Sequence, residues 1–542
     1  MSRNQRPNAK SRAKAAAETS GSISMDQLFA EAVRHHIAGR NQEAEALYLT
    51  ILKVPPIQSE ASYNLGLMYQ TAGRLIEAVG AYRNAVTLRP EHVDAYNNMG
   101  TALQALNAKD AAVTTYRTAI ALRPEHETSY CNLGVVMKEL GHVPESISAY
   151  RRAIGVRPGY DWAYANMAAA LIEMDLFDES IEACRKALSI NATMPMALFN
   201  LGTALKAQNR VEEAEKALRD ALALNPDFTE AHFTLSQILL YQEKYAEGWR
   251  EYDWRWRLPQ YSWLKTLHGD FAQPRWQGED IAGKTLLIYA EQGAGDTIQY
   301  ARYIPMVAEK TGARIVFAVH RQLARLLGQI GQAQVVPLEQ APLPAFDLHC
   351  PLLSLPGLMG TGKDNIPAGS PYLAADPVAV ERWRQRVGGT GKKKIGIVWA
   401  GNPEQTGDRL RSPRLAAVMK LFENHDVTFV ALQVGPGRGD LSQHPLPPHV
   451  VDLGLEVADF FDTAAVMADL DLMISSCTAP LHLASALGIP TWGMIPFAAH
   501  FLWQHERTDS PWYPKLRLYR QAQAGADWSN VIEAIDAGLK RL

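Results

Sequence analysis

Residues 93–126 read VDAYNNMGTALQALNAKDAAVTTYRTAIALRPEH, and this stretch decides the fold of the first half of the chain. Tyr96, Met99 and Leu103 recur at i, i+3 and i+7, the apolar stripe of one helix. Gly100 is small enough to let a second helix touch the first. Tyr116 and Ala119 belong to that second helix, and Pro124 ends it, because proline cannot continue an α-helix.

Working outward in steps of 34 residues, the same types return. Pro56, Pro90, Pro124, Pro158 and Pro226 share a column in which Ala192 fills the gap. Gly66, Gly100, Gly134 and Gly202 form another, with Ala32 and Ala168 as small substitutes. Tyr48, Tyr82, Tyr116, Tyr150 and Tyr252 form an aromatic column, and Ala85, Ala119, Ala153, Ala187 and Ala221 a second small one. These four columns resemble the tetratricopeptide repeat family. About seven copies fit over residues 25–260, the first and last atypical as end caps should be. The resemblance implies an all-α superhelix of helical hairpins.

Asn64, Asn98, Asn132, Asn166 and Asn200 make a fifth column, two residues before each small residue. At about 100° per residue Asn98 lies off the apolar stripe. In the tetratricopeptide family the first helices line a groove, so the asparagines are expected to form a ladder along it. An amide both donates and accepts, so each could clamp one peptide unit of an extended chain. The ladder resembles that of the O-GlcNAc transferase superhelix. The alternative is that each asparagine bonds only to a neighbouring repeat.

The repeats end in aromatic sequence over 261–283 and just before it: Trp249, Tyr252, Trp254, Trp256, Trp263, Pro274 and Trp276. This reads as an apolar joint to the next domain. A stacking platform for sugar or nucleic acid is the alternative, but no basic stripe accompanies it.

Composition bounds the rest. The chain has 542 residues, 47% hydrophobic and 20% charged, with a net charge of −3. That reads as globular, with no field drawing it to nucleic acid or acidic membranes. Cys131, Cys184, Cys350 and Cys477 lie far apart without a C-x-x-C, which argues against a zinc site or disulfide framework and suits a cytoplasmic location. No apolar run reaches membrane-spanning length. Residues 1–24 read as a disordered basic tail, with a transit peptide as the alternative.

From Gly283 the period changes. Buried strands are expected at 285–290, 314–319, 335–337 and 346–348, with helices from Thr297 and Gln322. After a Gly/Lys-rich linker at 388–393, strands fit 395–400, 427–433, 472–475 and 491–495. Helices fit 413–423, 458–468 and 478–487. Two β/α units, 284–387 and 388–542, predict two facing Rossmann-like domains, with ligands at the carboxyl ends of the strands. Gly293-Ala294-Gly295 invites a dinucleotide reading. However, Ile298 stands where the third glycine belongs, and Val319-His320 supplies no ribose-binding acid.

Five ordered segments resemble the heptosyltransferase-like group of GT-B glycosyltransferases, nearest to bacterial proteins with tetratricopeptide repeats ahead of such a domain. They are AEQGAGDTIQYARY, FDLHCPLLSLP, GIVWAGNP followed by DRLRS, DLMISSCTAPLHLASALGIPTW, and SPWYPKLRLYRQ. The resemblance implies an inverting, metal-independent transfer with a nucleotide sugar as co-substrate and no cofactor. It implies Asp296 as the base for the acceptor hydroxyl; a plain helix-start acid is the alternative. Ser475, Ser476, Cys477 and Thr478 end a strand and open a helix, where free N–H groups attract an anion. By the same resemblance Arg411 pairs the phosphates. Asn402, Gln433 and His482 are expected to line the donor pocket, and Gln292, Gly293, Gly295 and His349 the cleft. For His482, packing of its own helix is the alternative.

One position departs from the family pattern. Many relatives place Asp where this chain has Cys477, and a thiol cannot replace a carboxylate that accepts from sugar hydroxyls. The expected function is transfer of a sugar to Ser or Thr of a protein in the repeat groove, with flagellin a candidate acceptor by resemblance and a homodimer possible. The rivals are a scaffold with a degenerate transferase domain and a transferase acting on lipid or glycan.

Overall fold

The computed structural model describes residues 24–55, 57–261, 267–388, 391–403, 407–423, 426–504, 506–525 and 527–542. The basic tail up to residue 23, Pro56 and Trp263 lie outside the described residues. The chain divides into two compact units, Met1–Asn200 and Leu201–Leu542.

The first unit is helical. Met25–Ile37 (α1), Asn41–Ile51 (α2), Gln58–Thr71 (α3), Leu75–Leu88 (α4), Val93–Ala105 (α5), Lys109–Leu122 (α6), Glu127–Glu139 (α7), Val143–Val156 (α8), Asp161–Glu173 (α9) and Phe177–Ile190 (α10) form successive hairpins. Ser24 opens the first with a capping box: Gln27 N–H donates to its Oγ at 3.1 Å, and its own N–H donates to Gln27 Oε1 at 2.9 Å. The small and aromatic columns are two halves of one contact. A Cβ on Gly66, Gly100 or Gly134 would come within 2.5, 2.6 and 2.5 Å of the rings of Tyr82, Tyr116 and Tyr150. Each of those tyrosines is fully buried. The glycine lets the ring of the second helix lie directly on the first helix's backbone.

The turn inside each hairpin adds a column of its own. Gly39, Gly73, Asn107, Gly141 and Asp175 in this unit, and Asn209 and Glu243 in the next, all have φ between 56° and 81°. Their spacing is 34 throughout. Glycine adopts this left-handed conformation freely, and Asn and Asp tolerate it.

The second unit opens within the helix Pro195–Ala207 (α11), followed by Val211–Leu224 (α12), Thr229–Tyr241 (α13) and Tyr245–Tyr252 (α14). These last hairpins share a unit with the sheets because their side chains are sunk into it. Trp249 Nε1 donates to the Thr361 carbonyl at 3.1 Å, and its ring meets Phe501 edge-on at 5.8 Å. Gln504 Nε2 donates to Tyr245 Oη at 3.0 Å. Trp256 packs on Tyr289, and Trp276 is buried, its backbone N–H donating to the His349 carbonyl and its indole N–H to the Glu279 carbonyl. The aromatic segment is therefore a joint. Trp254 is stacked on His232 at 3.7 Å with Arg257 over its ring, so the protein's own groups occupy its face.

Two parallel sheets follow. Thr285–Tyr289 (β1), Arg314–Val319 (β2), Ala333–Pro337 (β3) and Leu348–Pro351 (β4) are ordered β3-β2-β1-β4. Lys393–Val398 (β5), Val427–Ala431 (β6), Val451–Asp452 (β7), Leu472–Ser476 (β8), Thr491–Ile495 (β9) and Leu516–Arg520 (β10) are ordered β10-β9-β8-β5-β6-β7. Counted from β5, that is the doubly wound 3-2-1-4-5-6 order, and the first sheet is its 3-2-1-4 portion. In each sheet the strand order reverses beside the first strand, next to β4 in one and β8 in the other. Ligand crevices form at such points. The helix Ala294–Ala301 (α15) follows β1, and Ala479–Ala486 (α16) follows β8.

Candidate functional site

The first wall of the site grows from the end of β1. All five strand residues are buried, and the chain leaves the sheet through Glu291, Gln292 and Gly293. Gly293 caps α15, which puts Asp296 in the helix's first turn. The Asp296 carboxylate accepts from the backbone N–H of Gly293 and from its own N–H. The carboxylate thus caps the first turn of its own helix, as the helix-start reading expects. Burial pushes its carboxyl up to about 6, against the pull of those N–H groups and of Arg411. Solvent still reaches it.

The second wall combines the ends of β5 and β8. Ser412 Oγ accepts from Gly401 N–H at 2.9 Å and donates to Asp408 Oδ1 at 2.9 Å. Arg411 Nε donates to the same Asp408 oxygen at 3.2 Å. Asp408 is buried and so fixes the Arg411 stem. A Cβ on Gly401 would lie 3.1 Å from Thr478 Cγ2 and 3.2 Å from Arg411 Nη2. Thr478 and the guanidinium thus close on one glycine. Thr478 caps α16 with extended backbone, and Ser476 behind it is fully buried. A helix start beside an arginine has the chemistry to attract an anion.

The walls meet at Gly295. A Cβ there would stand 3.1 Å from His482 Cδ2 and 3.4 Å from Ala479 Cα. The first turns of α15 and α16 are therefore in contact, and Asp296 and Arg411 are near enough for each to feel the other's charge.

Most other expected site residues have partners within the protein. Gln433 is buried with its amide committed to backbone: Oε1 accepts from Trp399 and Ala400 N–H, and Nε2 donates to the Ala400 and Val434 carbonyls. It ties β5 to β6, as a loop cap would. His482 is buried; its Nδ1 shares a 3.0 Å hydrogen bond with Tyr513 Oη, and Trp503 stacks on its ring. Burial holds it down near about 3, so it stays neutral and packs α16. His349 packs against Tyr289 and Phe271 and is held down at about 4 by burial and Arg275. Gln292 donates to Tyr252 Oη at 3.1 Å. Asn402 is exposed just beyond β5. Cys477 accepts from the Trp503 indole N–H at 3.0 Å, and burial pushes its thiol up, away from a reactive thiolate.

The asparagine column, in the first unit, has a regular bonding pattern. The Nδ2 of Asn98 donates to Tyr63 Oη, of Asn132 to Asn97 Oδ1, of Asn166 to Cys131 Sγ, and of Asn200 to the Ala165 carbonyl. Each bond reaches back 35 residues, one repeat plus one position. Asn64 lies beside Tyr48. In those four one of the two amide N–H groups stitches repeats, and the Asn98 oxygen also accepts from Asn97 Nδ2 at 3.2 Å. The second N–H of each amide is not used by these bonds.

Several residues escaped the sequence reading. Arg255 and Glu291 form a fully buried ion pair at 2.8 Å, just before the Gln292-Gly293 turn. Arg255 also holds Ser354 Oγ and the Tyr252 carbonyl. Tyr261 and Tyr252 stand close enough to Asp296 to feel its charge. Trp503 bonds to Cys477, and His500 stands near enough to Lys206 and Arg411 to feel their charges. Only the charge of Arg255 and Glu291 beside apolar runs could have signalled a buried pair. Among the described residues no group of three or more His, Cys, Asp or Glu is placed to hold a metal ion, and no helix is long and apolar enough to cross a membrane.

Sequence models of the tetratricopeptide repeat match residues 195–228, 37–93, 93–126 and 163–194. Protein FlbA of Caulobacter vibrioides is 28% identical over 334 residues, 56% of this chain and 53% of that protein. A Haemophilus influenzae protein named "Putative glycosyltransferase" is 31% identical over 145 residues, 25% of this chain and 41% of that protein. The chain thus spans about half the length of the curated relatives it matches. Among solved structures, that of MamA is 28% identical over 30% of this chain and 94% of MamA, with a TM-score of 0.28. YrrB, described as a TPR protein with an unusual peptide-binding site, is 17% identical over 33% of this chain and 93% of its own, with a TM-score of 0.29. With the 34-residue columns and the hairpins that they build, the matches identify residues 37–126 and 163–228 of this chain as tetratricopeptide repeats.

Proposed function

We propose that this chain is a glycosyltransferase that moves a sugar from a nucleotide-sugar donor to a Ser or Thr side chain of a polypeptide held by its repeats. The observation that supports the reading is the contact of α15 and α16 at Gly295, with Asp296 near enough to Arg411 to feel its charge. The likeness to the Haemophilus influenzae protein supports it.

In this reading 284–387 is the acceptor half and 388–542 the donor half. The acceptor hydroxyl oxygen attacks the anomeric carbon, and Asp296 takes its proton. The bond from that carbon to the donor phosphate oxygen breaks, and the nucleotide leaves with the electron pair. Arg411 and the start of α16 receive the charge that develops on that oxygen. A carboxyl near about 6 is poised for this, since a base works best with a pKa close to the operating pH. Attack from the face opposite the phosphate inverts the anomeric configuration. Asn402 lies at the donor end of β5, and the half-buried amides of Asn64, Asn98, Asn132 and Asn166 would meet the acceptor chain, with Asn200 buried at the end of the column. Flagellin is the first acceptor to try, and the reaction belongs in the cytoplasm.

The scaffold reading drew on Cys477. Its bond to Trp503 gives the thiol a structural task that leaves Asp296, Arg411 and Thr478 intact. The test is incubation with labelled nucleotide sugars and acceptor polypeptides. Label on Ser or Thr that Asp296→Asn abolishes supports the reading. No transfer from any donor, in a sample that binds acceptor, overturns it.

A further inference from the structure

Lys206 ends the groove-side helix of the sixth repeat, α11, and lies in the same compact unit as the sheets. Its ammonium donates to Gln237 Oε1 of α13. Among the described residues no carboxylate pairs with it, although neighbouring repeat cations such as Lys138 and Lys244 have glutamates. It is half-buried, and burial lowers its ammonium to about 8. A desolvated cation without a counter-charge is costly to a fold. Its persistence calls for an anion that arrives with a ligand.

The surroundings show where that anion would sit. Asn209, three residues on, donates to the Phe497 carbonyl at 3.4 Å and accepts from Tyr241 Oη. This fastens the end of the sixth repeat to the loop 497–504. At the other end of that loop Trp503 bonds to Cys477, next to Thr478. Between them stands His500, exposed and near enough to both Lys206 and Arg411 to feel their charges. The imidazole is held neutral, so it adds no charge of its own. Lys206 and Arg411 are thus both neighbours of the exposed His500, one from a repeat helix and one from the segment after β5.

We propose that Lys206 is the second cation of the donor site, so that a nucleoside diphosphate is held between Lys206 and Arg411 and the sixth repeat completes the pocket. This rests on the transferase reading and narrows it to diphosphate donors. Loading the donor then also braces the joint between repeats and sheets, because the ligand touches both.

The test is calorimetric titration of the full chain with pyrophosphate and with matched nucleoside di- and monophosphates. Lys206→Met and Lys206→Arg are compared with wild type. The diphosphate is expected to bind at least tenfold more tightly than its monophosphate in wild type and Lys206→Arg. In Lys206→Met that preference is lost, while its ligand-free melting temperature stays equal or rises. Equal diphosphate affinity in wild type and Lys206→Met overturns the proposal, as does a preference for monophosphate or no binding of any of these probes. A Lys206-dependent preference without transfer to any acceptor would leave the site standing and remove the transferase reading instead.

Discussion

The Trp503 indole N–H donates to the Cys477 thiol at 3.0 Å, which fastens the loop 497–504 to the residue preceding the Thr478 cap. A thiol in this position is an acceptor and a spacer, and burial keeps it protonated. Cys477→Ser should keep the bond and most activity. Cys477→Ala leaves the indole N–H without its acceptor and should cost about 1 kcal/mol of stability, with a larger rise in donor KM than fall in kcat. Thermal melts and steady-state kinetics on the two variants check this. Alkylation of Cys477 at neutral pH should be slow beside that of an exposed thiol.

Gly295→Ala should separate catalysis from folding. The new methyl would press on His482 Cδ2 at 3.1 Å and Ala479 Cα at 3.4 Å. The two first turns must part by a few tenths of an ångström. Misplacing a base by that order costs roughly tenfold or more in rate, whereas the helix gains propensity from alanine. The expected result is a melting temperature within a few degrees of wild type and kcat down at least tenfold.

The pH dependence follows from Asp296. With its carboxyl near about 6, kcat/KM should rise through about pH 6 and level off above it. His482 and His500, held near about 3, add no step between pH 5 and 8. For stability the sign is opposite. A folded-state pKa raised above the unfolded one stabilises the fold fully at low pH, and that contribution is lost as pH rises through about 6. Asp296→Asn should therefore abolish transfer yet gain about 1–2 kcal/mol over wild type at pH 8 relative to pH 4. Melts at the two pH values measure the difference.

Within the first unit, Gly134→Ala would drive a Cβ to 2.5 Å from the Tyr150 ring. Overpacking of this kind costs about 1–3 kcal/mol, only partly offset by helix propensity. Asn132→Ala loses the bond to Asn97 and should cost about 1 kcal/mol. Denaturant melts should rank the two in that order.

The repeats were legible because their constraint is local and recurs. Each Gly–Tyr contact needs a fixed spacing, so the columns at Gly66 and Tyr82 carry the fold in plain view. The left-handed column was harder to see because its residue types vary through Gly, Asn, Asp and Glu while the backbone angle stays the same. Most buried strands were legible as apolar runs. β7 has two residues, and β10 alternates with exposed Arg517, so neither forms such a run. Of the site, Asp296, Arg411 and Thr478 came from ordered motifs. Gln433 could not be sorted from them, because a strand-end amide reads the same whether it meets a nucleotide or its own backbone. Lys206 was invisible for a different reason. Its meaning depends on the folding of residues far along the chain, near Phe497 and His500, to within reach of the sixth repeat.

The most direct test of the central claim is intact-protein and peptide mass spectrometry of an acceptor polypeptide after incubation with a nucleotide-sugar panel. Wild type is predicted to add one sugar mass at a Ser or Thr, Asp296→Asn to add none, and both to bind the acceptor equally. An unmodified acceptor with every donor, or equal modification by wild type and Asp296→Asn, would contradict the account.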